Sequence, residues 1–203
     1  MARVGITLGI AVAVALLAGG VYFFVKSLGP RDTEKAPLAK VKVISEDMGF
    51  YVKSQKIEGR VYRLETLTED APAVIYCQSE EHGAVWCREL AALGYVAYCY
   101  DLSDGEKARQ KELLAIVDGI RELRFVNRRK VYLLGEAHGC LTASTFAFEN
   151  TGKIAGLMLL SPGFNPLEIS RKARRYSKPV LVLDASLPQS SLLQEISSYI
   201  GSD

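Results

Sequence analysis

Residues 131 to 149 read Val-Tyr-Leu-Leu-Gly-Glu-Ala-His-Gly-Cys-Leu-Thr-Ala-Ser-Thr-Phe-Ala-Phe-Glu, and the first nine decide the fold. Val131 to Leu134 is a short, continuous apolar run, the pattern of a strand buried on both faces. Gly135-Glu136-Ala137-His138-Gly139 then sets two glycines four positions apart, and Cys140 to Glu149 reads as a helix. A strand, G-x-x-x-G and a helix in that order make a tight turn: the glycines remove side chains that would clash, and the middle residue stands above the sheet. That residue is Ala137, whose methyl group can neither attack a carbonyl nor give up a proton.

The same rhythm extends in both directions. Ala73 to Cys77, Tyr95 to Tyr100, Lys130 to Leu134, Ile154 to Leu160 and Pro179 to Asp184 are short β-rich runs, separated by helical patterns. Trp86, Leu90 and Leu93 form one helical face, and Leu113, Ile116, Val117, Ile120 and Leu123 another. Leu192, Leu193, Ile196 and Ile200 form a third, with Ser191 and Gln194 spaced as a capping box at its start. Ahead of these, Lys42 to Ser54 and Arg60 to Thr66, with Gly59 between, read as an antiparallel pair. Repeated strand and helix units predict a mostly parallel sheet covered by helices, an α/β fold over residues 42–203.

Taken in order, these segments resemble the α/β-hydrolase family over roughly residues 40 to 200. Gly135 to Gly139 resembles its nucleophile elbow. Tyr76 to Gly83 with Trp86 and Leu90 resembles its oxyanion-loop strand and first helix, and Gly94 to Leu102 its GY-V-x-x-x-DL strand. Leu159 to Pro162 and Lys178 to Leu183 resemble the strands after the elbow. The resemblance implies a truncated hydrolase-like fold and, at the same time, a damaged site. Ala137 stands where the family has its serine. Asp184 comes too early for the triad acid, and neither histidine, His82 in the oxyanion loop nor His138 in the elbow, matches the triad base. Because a triad works as a unit, losing members removes several orders of magnitude in rate.

Two substitutes remain. Cys140, one turn into the helix beside His138, is a nucleophile if the helix N-terminus depresses its thiol pKa, against the plainer reading of a small packed residue. A metal site would need Glu136 and His138 to be joined by Asp101, Asp184 or His82, and no metal or other cofactor is expected. A serine replaced by alanine to inactivate an enzyme would explain Ala137 but not the missing histidine.

Outside this region, Val4 to Val25 holds no charged side chain over 22 positions, long enough for a helix to cross about 30 Å of hydrocarbon. An uncleaved anchor (residues 1–26) followed by a polar tether (27–41) is expected, with a cleaved signal peptide as the rival. Gly5 and Gly9 have the spacing that lets membrane helices approach closely. Lys26, Arg31, Lys35, Lys40 and Lys42 follow the span and only Arg3 precedes it, which favours a cytoplasmic or matrix-side domain in a bacterial inner or a mitochondrial membrane. The four cysteines, Cys77, Cys87, Cys99 and Cys140, sit in apolar patterns and read as buried free thiols, with disulfides left open by their even count. A net charge of +2 with no basic tail argues against nucleic acid.

Arg121, Arg124, Arg128, Arg129 and Lys130 precede the elbow strand, and Arg171, Lys172, Arg174, Arg175 and Lys178 precede the last. Both groups belong at the N-terminal edge of a parallel sheet, as a basic rim facing an anionic leaflet or an acidic partner, or as ordinary charge at helix C-termini. The combined expectation is a membrane-tethered protein with a structural or interaction role, an accessory subunit of a membrane complex. The alternative is an esterase or thioesterase, of serine or cysteine type, completed by a partner chain or inactivated at Ala137.

Overall fold

The computed structural model describes residues 42–166 and 173–202. The anchor and tether expected at 1–41 lie outside the described residues, as do Arg171 and Lys172. Among the described residues no helix is long and apolar enough to cross a membrane.

Among the described residues seven strands form one sheet: β1 (Val43–Val52), β2 (Gln55–Leu64), β3 (Ala71–Gln78), β4 (Val96–Asp101), β5 (Val126–Glu136), β6 (Gly156–Leu160) and β7 (Val180–Leu183). Their spatial order is β1-β2-β4-β3-β5-β6-β7. β1 runs antiparallel to β2 and β2 antiparallel to β4; from β4 to β7 every pairing is parallel. The α-helices of the described residues are α1 (Glu80–Ala92), α2 (Glu106–Arg121), α3 (His138–Glu149) and, after the last strand, α4 (Gln189–Gly201).

The unbroken apolar strands are explained by helices on both faces. Ile75, Cys77, Leu133 and Leu159 pack with Leu113 and Ile116 of α2 and Ala143 and Phe146 of α3. Their neighbours Val74, Tyr76, Leu134 and Met158 pack with Leu90 of α1 and Leu192 and Ile196 of α4. Successive side chains of one strand point to opposite faces, so a strand with helices on both sides has no polar face to show.

Four local expectations are corrected. The turn between the first strands is Lys53-Ser54, with Lys53 at φ 54°, and not Gly59. Gly59 pairs with Met48 inside β2, because a side chain there would run into the Tyr98 ring and the Cys99 carbonyl. Leu93 is 48% exposed, since α1 ends before it and it caps the helix instead of joining its apolar face. α4 begins at Gln189 after Pro188, which places Ser191 inside the first turn and leaves the helix without a side-chain cap. β5 starts at Val126, so Arg128, Arg129 and Lys130 belong to the strand; the β3–β5 register shifts between Ala71 and Ala73 to accommodate them.

Candidate functional site around the elbow

β5 delivers Glu136 to the C-terminal edge of the sheet, and α3 starts at His138, leaving Ala137 to make the turn alone. Ala137 has φ 48° and ψ −120° and is exposed, as an elbow requires. A non-glycine residue held there carries strain of about 1–3 kcal/mol, which the surroundings must impose. They do so through the glycines. A side chain on Gly139 would fall on the backbone carbonyl of Cys77, so α3 is seated directly on the end of β3. One on Gly135 would lie 2.8 Å from the Cys140 Cα and the Gly139 carbonyl oxygen.

Ala137, as N-cap of α3, gives no side-chain hydrogen bond to the helix. Of the first-turn amides, that of Cys140 bonds back to the Ala137 carbonyl at 3.2 Å, and the cap supplies no side-chain acceptor to the others.

Glu136 is half-buried and accepts a short hydrogen bond from the Tyr76 hydroxyl, while Gln78 lies 3.4 Å from the same hydroxyl. Burial, and then the Glu136 carboxylate, push the Tyr76 phenol well above its ordinary pKa. Glu136 also lines a groove of about 470 Å³ with Glu81, His82, Val85, Trp86, Ala185, Leu187 and Leu192. The groove joins two carboxylates and an imidazole to an apolar wall. Sequence reasoning missed the Tyr76–Glu136 pair: Tyr76 looked like one more strand residue, and only the register of β3 beside β5, with Cys77 opposite Gly135, brings the two together.

The other candidates are occupied. His82 Nδ1 lies 2.8 Å from the Ser79 hydroxyl, which also accepts from the His82 backbone N–H at 3.4 Å and so caps α1. Asp101 accepts from the Glu80 backbone N–H at 2.8 Å. Asp184 accepts from the Ser186 backbone N–H at 2.9 Å, which holds its carboxyl below the ordinary value in a turn of its own. His138 is exposed at the start of α3 and does not line the groove. Among the described residues no three His, Cys, Asp or Glu side chains converge as metal ligands.

Cys140 points inward. It is fully buried, its thiol donates to the Leu160 carbonyl at 3.5 Å, and burial pushes it up to about 11. A neutral buried thiol lacks the thiolate that nucleophilic attack needs. All four cysteines are buried and unpaired.

At the opposite edge of the sheet, Arg124, Arg128 and Arg129 share a hollow with Asp70 and Glu122, and Arg128 pairs with Glu122 at 2.7 Å. Arg121 donates to the Arg128 carbonyl at 3.1 Å. β6 stands between this group and Arg175 and Lys178, which are both exposed.

No family model matches the chain, and no curated protein matches it. Solved structures do. A dienelactone hydrolase-like promiscuous phosphotriesterase, P91, from metagenomic libraries shares 18% identity over 79% of this chain and 77% of its own, with a TM-score of 0.61. A dienelactone hydrolase of Klebsiella pneumoniae, so described provisionally, shares 20% over 79% and 81%, with a TM-score of 0.56. A hyperthermophilic esterase from Pyrobaculum calidifontis shares 23% over 59% of this chain but 44% of its own, with a TM-score of 0.53. The fold is therefore that of the α/β-hydrolases, and the described domain spans about half or less of the esterase. At these identities the likeness is one of fold.

Proposed function

We propose that the chain is an α/β-hydrolase-fold protein with a silent elbow, tethered to a membrane by residues 4–25 and acting through binding, as an accessory or scaffolding subunit for a protein partner in that membrane. One observation carries this reading: the turn that should present a nucleophile presents the methyl group of Ala137. The groove beside it remains suited to a small ligand, with Trp86 and Leu192 for an apolar part and Glu81 and Glu136 for a donor.

A second reading is ester or thioester hydrolysis, in a form whose serine has been replaced at 137 or whose triad a partner chain completes. It is favoured by the backbone of Ala137, which keeps a strained conformation that alanine itself gains nothing from. It is favoured also by neighbours in fold that are hydrolases.

The two readings part at Ala137→Ser. This variant keeps the elbow glycines, and the silent-elbow reading expects no rapid labelling by a fluorophosphonate probe, since an unactivated hydroxyl is a poor nucleophile at neutral pH. Stoichiometric labelling within minutes would mean that a base reaches position 137, and the hydrolase reading would replace the first.

A further inference from the structure

The two edges of the sheet are finished differently. In the middle of β1, Glu46 accepts from Arg63 at 2.7 Å and Asp47 from Arg60 at 2.9 Å. Charge of this kind discourages an edge from pairing further. β7 has none: it reads Val180-Leu181-Val182-Leu183 and, among the described residues, pairs only with β6.

Its hydrogen bonds to β6 run through the odd-numbered residues. The Leu157 N–H donates to the Pro179 carbonyl at 3.2 Å and the Ser161 N–H to the Leu183 carbonyl at 2.8 Å. Backbone groups alternate sides along a strand, so those of Val180 and Val182 turn to the open edge. The one proline nearby, Pro179, has its missing N–H on the β6 side and does not block that edge. The Val182 side chain is 53% exposed, an apolar residue on an unprotected strand.

We propose that this edge pairs antiparallel with β7 of a second copy of the chain, about a two-fold axis through Leu181. In that register Val180 and the second copy's Val182 exchange both of their backbone hydrogen bonds, and Val182 is covered. Lys178 and Asp184, both exposed and flanking the four residues of β7, then come opposite each other just beyond the two ends of the ladder, once in each sense, Asp184 from the turn in which it holds Ser186. Sliding the pair by one hydrogen-bonding step either way sets Lys178 against Val182 or Asp184 against Val180. The segment from Lys178 to Asp184 is its own complement in charge, which favours another copy over an unrelated strand. Such self-complementarity defines a two-fold interface. The inference does not depend on what the elbow does.

The test uses the full chain in mild detergent, by sedimentation equilibrium over about 1–100 μM. Wild type is expected to reach a dimer. Val182→Pro removes an N–H that has no partner among the described residues, so its circular dichroism should be unchanged while its dissociation constant rises by about tenfold or more. Lys178→Glu and Asp184→Lys should each weaken the dimer, and the double variant should restore it toward wild type. A monomer at every wild-type concentration overturns the proposal. So does a folded Val182→Pro that dimerises as wild type does, or a double variant no tighter than the single ones.

Discussion

The Tyr76 hydroxyl donates to the Glu136 carboxylate across adjoining strands, and 60 positions of sequence separate the two. This bond ties the residue before the elbow to the centre of the sheet. Tyr76→Phe should therefore cost about 1–2 kcal/mol, because Glu136 stays half-buried with its strongest donor gone. Glu136→Gln should cost less, since an amide oxygen still accepts from the phenol. Urea unfolding followed by circular dichroism would rank the two, and equal losses would show that the bond contributes little.

Gly139→Ala should be far more damaging. Its methyl group would fall on the Cys77 carbonyl, and neither the strand nor the helix end can retreat without breaking its own ladder. A loss of about 3 kcal/mol or more is expected. Gly152→Ala, where nothing lies within 4 Å of the added carbon, is the control and should be nearly neutral. Similar melting temperatures for the two variants would contradict the seating of α3 on β3.

The full chain should turn over p-nitrophenyl acetate and butyrate no faster than its Cys140→Ala variant does, because the thiol is buried and bonded to Leu160. Turnover that disappears with Cys140 would overturn this.

The same thiol fixes a pH dependence. Cys140 has a folded pKa of about 11 against an ordinary 9.0, a raised value. Burying it neutral contributes stability that is complete below about pH 9 and is lost as pH rises through 11. Melting temperature should fall across that window, and less steeply in Cys140→Ala. Alkylation by iodoacetamide at pH 8 should be slow until the protein is unfolded.

Membrane attachment is checked by washing. If residues 4–25 form an uncleaved span, carbonate and high salt leave the chain in the membrane, and its N-terminus is Met1. Release by salt alone would point instead to the basic residues at the sheet edge, whose attraction is screened.

The strands from β3 to β7 were legible because each holds a short run that is apolar on both faces and is bounded by turn residues. The elbow was legible from Gly135 and Gly139, whose spacing encodes a steric need. Most of what the sequence did not disclose depends on partners distant in the chain. Gly59 looked like a turn because its reason, the Tyr98 ring packed over it, comes from another strand. Ser191 matched a capping pattern that Pro188 pre-empted by starting α4 earlier. The Tyr76–Glu136 pair needed the register, and Cys140 needed the direction of a side chain, before either could be judged. Those are products of packing.

The strand order carries a consequence for how the chain is made. The hairpin of β1 and β2 leaves the ribosome ahead of the other strands of the sheet, yet it docks on β4 and not on β3, the next strand in sequence. Until Val96 to Asp101 has emerged, Ile57 and Val61 have no sheet to join, and a two-stranded ribbon alone is barely stable in water. The order of synthesis is thus not the order of assembly. The centre, β3 with its neighbours, has to form around a nascent ribbon that waits for its place, and a translation pause before Val96 lengthens the wait.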